Sequence, residues 1–115
     1  MTIPYITSLV ISGTNIFAGT YGGIFLSTNN GSSWTSVNNG LTNTNILSLA
    51  TNGTNIFAGT NGGGVYLSTD NGSSWTAVNN GLVNSIVQTL AISGTNIFVG
   101  TYGGGVFLSI NNGTS

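Results

Sequence analysis

The amino-acid sequence, 115 residues long, repeats itself with a period of about 41 residues. The segment at residues 12–20 returns at residues 52–60 and again at residues 93–101. Gly31, Gly72 and Gly113 follow the same spacing, and so do Trp34 and Trp75. The chain must therefore build one small structural unit about three times over, and its fold follows from how such a unit buries its apolar residues.

Four short strands are predicted in each repeat. In the second copy they lie at residues 46–50, 55–60, 65–69 and 74–78, where aliphatic and aromatic residues cluster between Asn-Gly or Gly-Gly turn signals. No segment carries the capping residues and helix formers that start a helix. Each unit is therefore predicted to be a small antiparallel sheet.

The second strand of the unit is apolar on both faces. Ile56 and Ala58 lie on one side of it, and Phe57 and Gly59 lie on the other, because side chains alternate along a strand. Such a sheet needs cover on both faces, which blades stacked face to face around an axis supply. A unit of this length also matches the roughly 40–50 residues of a propeller blade. The predicted fold is all-β: a β-propeller with blades of four antiparallel strands, about 41 residues each.

The repeat divides residues 1–115, a single repeat domain, into a first blade at about 5–45, a second at about 46–85 and a partial third at about 86–115. The chain thus encodes two complete blades plus most of a third, which lacks its fourth strand. Propellers usually have four to eight blades, so three would leave apolar faces uncovered. We expect either a homo-oligomer, with a homodimer of six blades the simplest ring, or an excised part of a longer propeller. The near-identity of the copies favours self-assembly and indicates recent duplication or design.

A short motif recurs at the same point of the repeat. It has the pattern Ser-x-Asp-x-Gly-x-x-Trp, and its defining positions are Ser27, Asn29, Gly31 and Trp34 in one copy and Ser68, Asp70, Gly72 and Trp75 in the next. A third copy begins at Ser109 and contains no Trp. The chain is therefore similar to the Asp-box (BNR) repeat family, found in sialidase, xyloglucanase, sortilin-type and photosystem II assembly factor propellers. This resemblance implies a propeller fold and a structural role for the motif residues.

The chemistry of the motif predicts the same role. An Asp or Asn side chain at the third position can accept hydrogen bonds from backbone amides further along the turn. The glycine two residues later tolerates a positive φ, and the Trp ring can cover the turn. A metal site at Asp70 is the alternative, but calcium usually requires several charged oxygen ligands. We predict no metal and no cofactor.

Charged residues are almost absent from the sequence. The chain has no Lys, Arg, His, Glu or Cys, and Asp70 is its single acidic residue. Without cations, neither nucleic acid nor an anionic membrane is an expected partner. A sialidase needs an arginine cluster, a usual glycosidase needs two carboxyl groups, and a Ser or Cys nucleophile needs a His base. The chain is therefore predicted not to be an enzyme. Residues 1–10 show no signal-peptide pattern, and the compartment stays unknown, with an extracellular or cell-surface location the favoured alternative.

A second function is predicted from the loops that share one face of a propeller. Neutral amides and aromatic rings suit hydrogen bonding to and stacking on a sugar, and these loops carry Tyr21, Asn61, Tyr102, Asn38, Asn39, Asn79 and Asn80. The alternative function is thus a lectin-like or protein-binding propeller whose partner is a neutral glycan or a protein. The competing interpretation is that Tyr21 and Tyr102 only cover the groove between blades.

Overall fold

The computed structural model describes residues 5–53, 55–79, 81–82 and 85–111. Strands and turns make up these ranges, and none of the described residues is helical. Consequently no helix in this part of the chain is long and apolar enough to cross a membrane. The predicted ligand-binding residue Asn80 and the glycine of the third motif, Gly113, lie outside the described residues.

The strands form three antiparallel sheets in which each strand pairs with its neighbour in sequence. Sheet 1 contains β1 (Ile6–Ser12), β2 (Asn15–Thr20), β3 (Gly23–Ser27) and β4 (Thr35–Ser36). Sheet 2 contains β5 (Ile46–Thr51), β6 (Ile56–Thr60), β7 (Val65–Ser68) and β8 (Thr76–Ala77). Sheet 3 contains β9 (Val87–Ser93), β10 (Asn96–Thr101) and β11 (Gly105–Ser109). The prediction of a four-stranded antiparallel unit is confirmed in sheets 1 and 2.

The fourth strand of sheet 2 is shorter than the sequence predicts. Residues 74–78 were expected to be extended, but the ladder includes only Thr76 and Ala77. The backbone amide of Ser74 instead donates to Oδ1 of Asp70 at 2.9 Å, and the amide of Trp75 donates to the carbonyl of Asn39 at 2.9 Å. These two amides are withdrawn from strand pairing because they bind the preceding turn and the neighbouring loop.

The three sheets stack face to face, with their first strands in contact: β1 lies against β5, and β5 lies against β9. One apolar cluster fills the gap between sheets 1 and 2 and contains Phe17, Ile24, Ile46, Leu49, Ile56, Ala58, Tyr66 and Trp75. A second cluster fills the gap between sheets 2 and 3 and contains Phe57, Val65, Val87, Ile97 and Val99. Sheet 2 is therefore covered on both sides, and its burial supplies most of the core.

Strand β6 shows the predicted two-sided burial. Ile56 and Ala58 belong to the cluster against sheet 1, whereas Phe57 belongs to the cluster against sheet 3, and all three side chains are fully buried. A Cβ at Gly59 would lie 2.5 Å from Cγ1 of Val87. The missing side chain thus allows β6 and β9 to approach each other closely.

Candidate functional site

The second motif copy forms a tight turn held by side-chain hydrogen bonds. The hydroxyl of Ser68 donates to Oδ1 of Asp70 at 2.8 Å and accepts from the amide of Gly72 at 2.8 Å. Asp70 also accepts from the Ser74 amide at 2.9 Å and from the Ser74 hydroxyl at 2.6 Å. The backbone of Asn71 and Gly72 has positive φ angles of 58° and 85°, which the side-chain bonds help to hold. Every polar group of the turn named here has a partner inside the turn.

The first motif copy has the same geometry with an amide in place of the carboxylate. Oδ1 of Asn29 accepts from the Ser27 hydroxyl and from the Ser33 amide, both at 2.9 Å. The Ser27 hydroxyl in turn accepts from the amide of Gly31 at 2.8 Å. The third copy begins in the same way, with the Ser109 hydroxyl donating to Oδ1 of Asn111 at 3.0 Å. In all three copies the side chain at the third motif position accepts a hydrogen bond from the serine two residues earlier.

Hydrogen bonds to its carboxylate set the acidity of Asp70. The hydroxyl and backbone amide of Ser74, and then the hydroxyl of Ser68, lower the pKa of Asp70 from its ordinary value. Because the pKa is lower in the folded than in the unfolded chain, ionised Asp70 stabilises the fold above the unfolded pKa. That stabilisation disappears as the pH falls through the folded pKa.

We predict that lowering the pH from about 6 to about 2 decreases the urea midpoint of the wild-type chain. The Asp70→Asn variant should respond much less, because an amide does not titrate and Asn29 already supports the same turn. Urea unfolding at both pH values checks this for the two proteins. Equal acid sensitivity in both would contradict a stabilising role of the ionised carboxylate.

The two motif tryptophans differ in what covers them. Trp75 is 4% exposed, and its Nε1 donates to the carbonyl of Val37 at 2.8 Å, which joins sheet 2 to the loop that leaves sheet 1. A Cβ at Gly40 would overlap the carbonyl oxygen of Trp75, so that loop lies directly on the strand. Trp34, at the equivalent point of sheet 1, is only half-buried. The motif tryptophan is therefore fully packed in sheet 2, which lies against sheet 1, and only partly packed in sheet 1, which has no described sheet on that side.

The outer faces of sheets 1 and 3 expose residues whose repeat equivalents are buried. Leu9 in β1 is 61% exposed, whereas Leu49 at the same position of sheet 2 is 6% exposed. Val106 in β11 is 74% exposed, whereas Val65 is 4% exposed. We call the first surface the sheet-1 end face (Ile6, Leu9, Ile11) and the second the sheet-3 end face (Phe98, Val106, Leu108). Each is an apolar packing surface that the chain buries elsewhere against itself.

The predicted ligand-binding amides are largely occupied by bonds within the protein. Oδ1 of Asn38 accepts from the amide of Ile24, and Oδ1 of Asn79 accepts from the amide of Val65, each at 2.8 Å. Nδ2 of Asn39 donates to the carbonyl of Ser73 at 3.4 Å. These bonds tie the loop after each fourth strand to the neighbouring strands. These hydrogen bonds were not predicted from the sequence. The recurrence of Asn38 as Asn79 one repeat later is the sequence signal that could have indicated their structural role.

The aromatic part of the predicted ligand face is more accessible. Tyr21 is 51% exposed and stacks on Tyr5, with ring centroids 5.4 Å apart and an interplanar angle of 26°. Tyr102 is 65% exposed on sheet 3. Asn61 directly follows β6, and its carbonyl accepts from Nδ2 of Asn43 at 3.0 Å. Tyr5 was not among the predicted residues, because nothing in the repeat marks a ring that precedes the first strand.

Comparison with known proteins identifies the architecture. No protein-family model and no curated protein sequence matches the chain. A solved ancestral GH74 enzyme superposes on 98% of the chain with a TM-score of 0.80 and 24% identity. The computationally designed Ika4 protein covers 92% with a TM-score of 0.73 and 16% identity, and YCF48 from Cyanidioschyzon merolae covers 99% with a TM-score of 0.75 and 14% identity. The chain has a β-propeller fold.

Sheets 1, 2 and 3 are therefore propeller blades, and the predicted fold class is confirmed. The chain spans 18% of the length of the GH74 enzyme, 66% of Ika4 and 37% of YCF48. At these identities the likeness concerns the fold. The three blades pack through the two apolar clusters described above, and the two end faces are the surfaces at which further blades would continue the stack.

Proposed function

We propose that the chain is a non-enzymatic propeller scaffold that associates with a second copy of itself through its two end faces. In this proposal the Asp-box motifs are structural, residues 1–115 act as one repeat domain, and two copies supply six blades. The alternative is that the chain is an excised part of a longer propeller. Neighbouring blades of that longer chain would then cover the same faces.

The observation that carries the proposal is the equivalence of the end faces to the buried blade interfaces. In the inner interface, Phe57 and Val65 of sheet 2 pack against Val87 and Ile97 of sheet 3. On the sheet-3 end face, Phe98 and Val106 occupy the repeat positions of Phe57 and Val65. The sheet-1 end face exposes aliphatic residues at repeat positions that sheet 3 uses in the inner interface. A head-to-tail contact between copies would repeat a packing that the chain already contains. With a formal net charge of −1 per chain, repulsion between copies is weak.

The composition supports the absence of catalysis in this proposal. The sole carboxylate of the sequence, Asp70, is engaged in the bonds of its own turn. The resemblance to GH74 enzymes therefore extends to architecture, while the paired carboxylates of a glycosidase have no source in this chain.

The molar mass in solution tests the proposal. We expect the wild-type chain to have twice the mass of one chain in light scattering or native mass spectrometry. Val106→Asp should be monomeric at the same concentration, because it places a charge in the centre of the sheet-3 end face. Thr76→Asp, at an exposed position on the edge strand of sheet 2, is the matched control and should keep the wild-type mass. A wild-type chain that stays folded and monomeric at every concentration would overturn the proposal.

A second candidate function is a lectin-like or protein-binding use of the loop face. The stacked, exposed pair of Tyr5 and Tyr21 favours it, because such rings stack on sugars and on apolar side chains. A solved complex of YCF48 is described as bound to D1 peptide, which supports a peptide-binding capacity for the architecture. Binding of a neutral oligosaccharide or peptide to the monomeric Val106→Asp chain would establish this function separately from assembly.

A further inference from the structure

The chain is rich in Asn-Gly pairs, in which asparagine loses its side-chain amide most readily because glycine places no side chain beside the reacting nitrogen. All of the asparagines in the pairs that lie among the described residues are exposed to solvent. These pairs are Asn30-Gly31, Asn39-Gly40, Asn52-Gly53, Asn61-Gly62 and Asn71-Gly72. Because the dipeptide is the same in each, the structure around the glycine nitrogen decides which pair reacts most readily.

Deamidation uses the backbone amide nitrogen of the glycine as the nucleophile. That nitrogen attacks the side-chain carbonyl carbon of the preceding asparagine, a C–N bond closes a succinimide ring, and the side-chain nitrogen leaves as ammonia with the proton that the backbone amide gives up. Water then opens the ring to aspartate or isoaspartate, so water is the sole co-reactant. A glycine amide that donates a hydrogen bond must first lose that bond. Pairs with such a glycine are therefore protected.

In all but one of these pairs the glycine amide already donates a hydrogen bond. In the two motif copies the acceptor is the hydroxyl of the first motif serine, at 2.8 Å in each. The amide of Gly53 donates to the hydroxyl of Thr51 at 3.0 Å. The amide of Gly62 donates to the carbonyl of Ser85 at 3.0 Å. Reaction at these asparagines requires the loop to release its glycine first.

The pair Asn39-Gly40 is the exception. Within the described residues the amide of Gly40 donates no hydrogen bond, and both residues of the pair are exposed. The side chain of Asn39 makes one long contact, from Nδ2 to the carbonyl of Ser73 at 3.4 Å. Neither the attacking nitrogen nor the leaving nitrogen is therefore held by a strong hydrogen bond.

The same pair joins the loop that leaves sheet 1 to sheet 2. The carbonyl of Asn39 accepts from the amide of Trp75 at 2.9 Å. Loss of the side-chain amide removes the donor to the Ser73 carbonyl and sets a carboxylate against that oxygen. Isoaspartate also inserts a methylene group into the main chain beside the bond to Trp75. Since the formal net charge of the chain is −1, a single deamidation doubles it.

We propose that Asn39 is a deamidation site and reacts faster in the folded chain than the other Asn-Gly pairs named above. The substrates are the protein itself and water, and the product carries a second carboxylate in the loop between sheets 1 and 2. The modification weakens the contact of that loop with sheet 2. The site is independent of the proposed self-association, because neither end face includes these residues.

Incubation of the full-length chain in mildly alkaline buffer, either folded or unfolded in guanidinium chloride, tests the proposal. Chymotryptic peptide mapping by mass spectrometry detects the conversion of an amide to an acid, and fragmentation distinguishes Asn39 from Asn38. The rate at each site in the folded chain is divided by the rate at the same site in the unfolded chain. We expect this ratio to be highest at Asn39, by about threefold or more, the effect of one hydrogen bond. An equal or higher ratio at another of these pairs would overturn the proposal.

The Thr51→Val variant tests the cause of the protection. It removes the acceptor of the Gly53 amide at nearly constant side-chain volume. The rate ratio at Asn52 should rise by about threefold or more, while the ratio at Asn39 stays as in the wild-type chain. An unchanged ratio at Asn52 would mean that the glycine hydrogen bond does not set the rate, against the proposal.

The Asn39→Asp variant reproduces one product of the reaction and tests its consequence. Its urea midpoint should be lower than that of the wild-type chain, because the carboxylate faces the Ser73 carbonyl. Asn30→Asp, which adds the same charge at an exposed turn residue, is the matched control and should keep the wild-type midpoint. Equal midpoints for the two variants would contradict the proposed weakening of the contact between the loop and sheet 2.

Discussion

Replacing Trp75 with alanine is expected to lower the free energy of unfolding by about 3–5 kcal/mol. The ring is 4% exposed and belongs to the cluster between sheets 1 and 2. The change also removes the hydrogen bond to the Val37 carbonyl and leaves that acceptor beside a cavity. Urea unfolding followed by circular dichroism, at concentrations low enough to keep the chain monomeric, measures the loss.

Trp34→Ala is the matched control within the chain. The motif around Trp34 has the same hydrogen bonds, but the ring is half-buried and no described sheet precedes it. We expect a loss of about 1 kcal/mol. Equal losses for the two tryptophans would mean that the ring stabilises its own turn and not the contact between sheets.

Replacing Phe57 with alanine is expected to cost a similar 3–5 kcal/mol, about what a buried phenylalanine contributes. Phe57 is fully buried between sheets 2 and 3. An apolar cavity between sheets 2 and 3 already borders Phe57. Removing the ring enlarges that cavity, because the surrounding side chains do not fill even the existing space. Denaturant titration at several protein concentrations gives the value and shows whether it depends on concentration.

Phe98→Ala, at the same position of the next repeat, provides the comparison. Phe98 is 38% exposed on the sheet-3 end face, so its loss should be small in dilute solution. If the end faces associate, the loss should grow at concentrations where dimers form, because Phe98 is then buried as Phe57 is. A concentration-independent cost equal to that of Phe57 would contradict both the exposure and the proposed contact.

Much of the architecture could be predicted from the sequence because the same pattern of strands and turns occurs in it three times. The alternation of Ile56 and Phe57 indicated a sheet covered on both faces, and the structure places these residues in two different clusters. The Ser, Asp and Gly spacing indicated a tight turn, since the bonds involved span two to four residues. Interactions of such short range are encoded locally.

The ligand face was less predictable from the sequence. Asn38 and Asn79 looked available for a ligand, yet their side chains bind amides fourteen residues away in sequence. The stacking of Tyr5 on Tyr21 joins residues from outside the repeat and inside it. These contacts arise where separate strands and loops meet, and no local pattern specifies that meeting.

The amino-acid sequence by itself determined the blade: its length, its four strands, its two apolar faces and the turn that closes it, because backbone propensity, side-chain alternation and short-range hydrogen bonds act within one repeat. The tertiary structure decided which of three nearly identical copies is covered. Trp75 and Trp34 have the same neighbours in sequence, and Phe57 and Phe98 occupy the same position of the repeat, yet the two members of each pair differ in burial. Burial depends on whether another blade lies alongside, which is a property of the stack and not of the repeat.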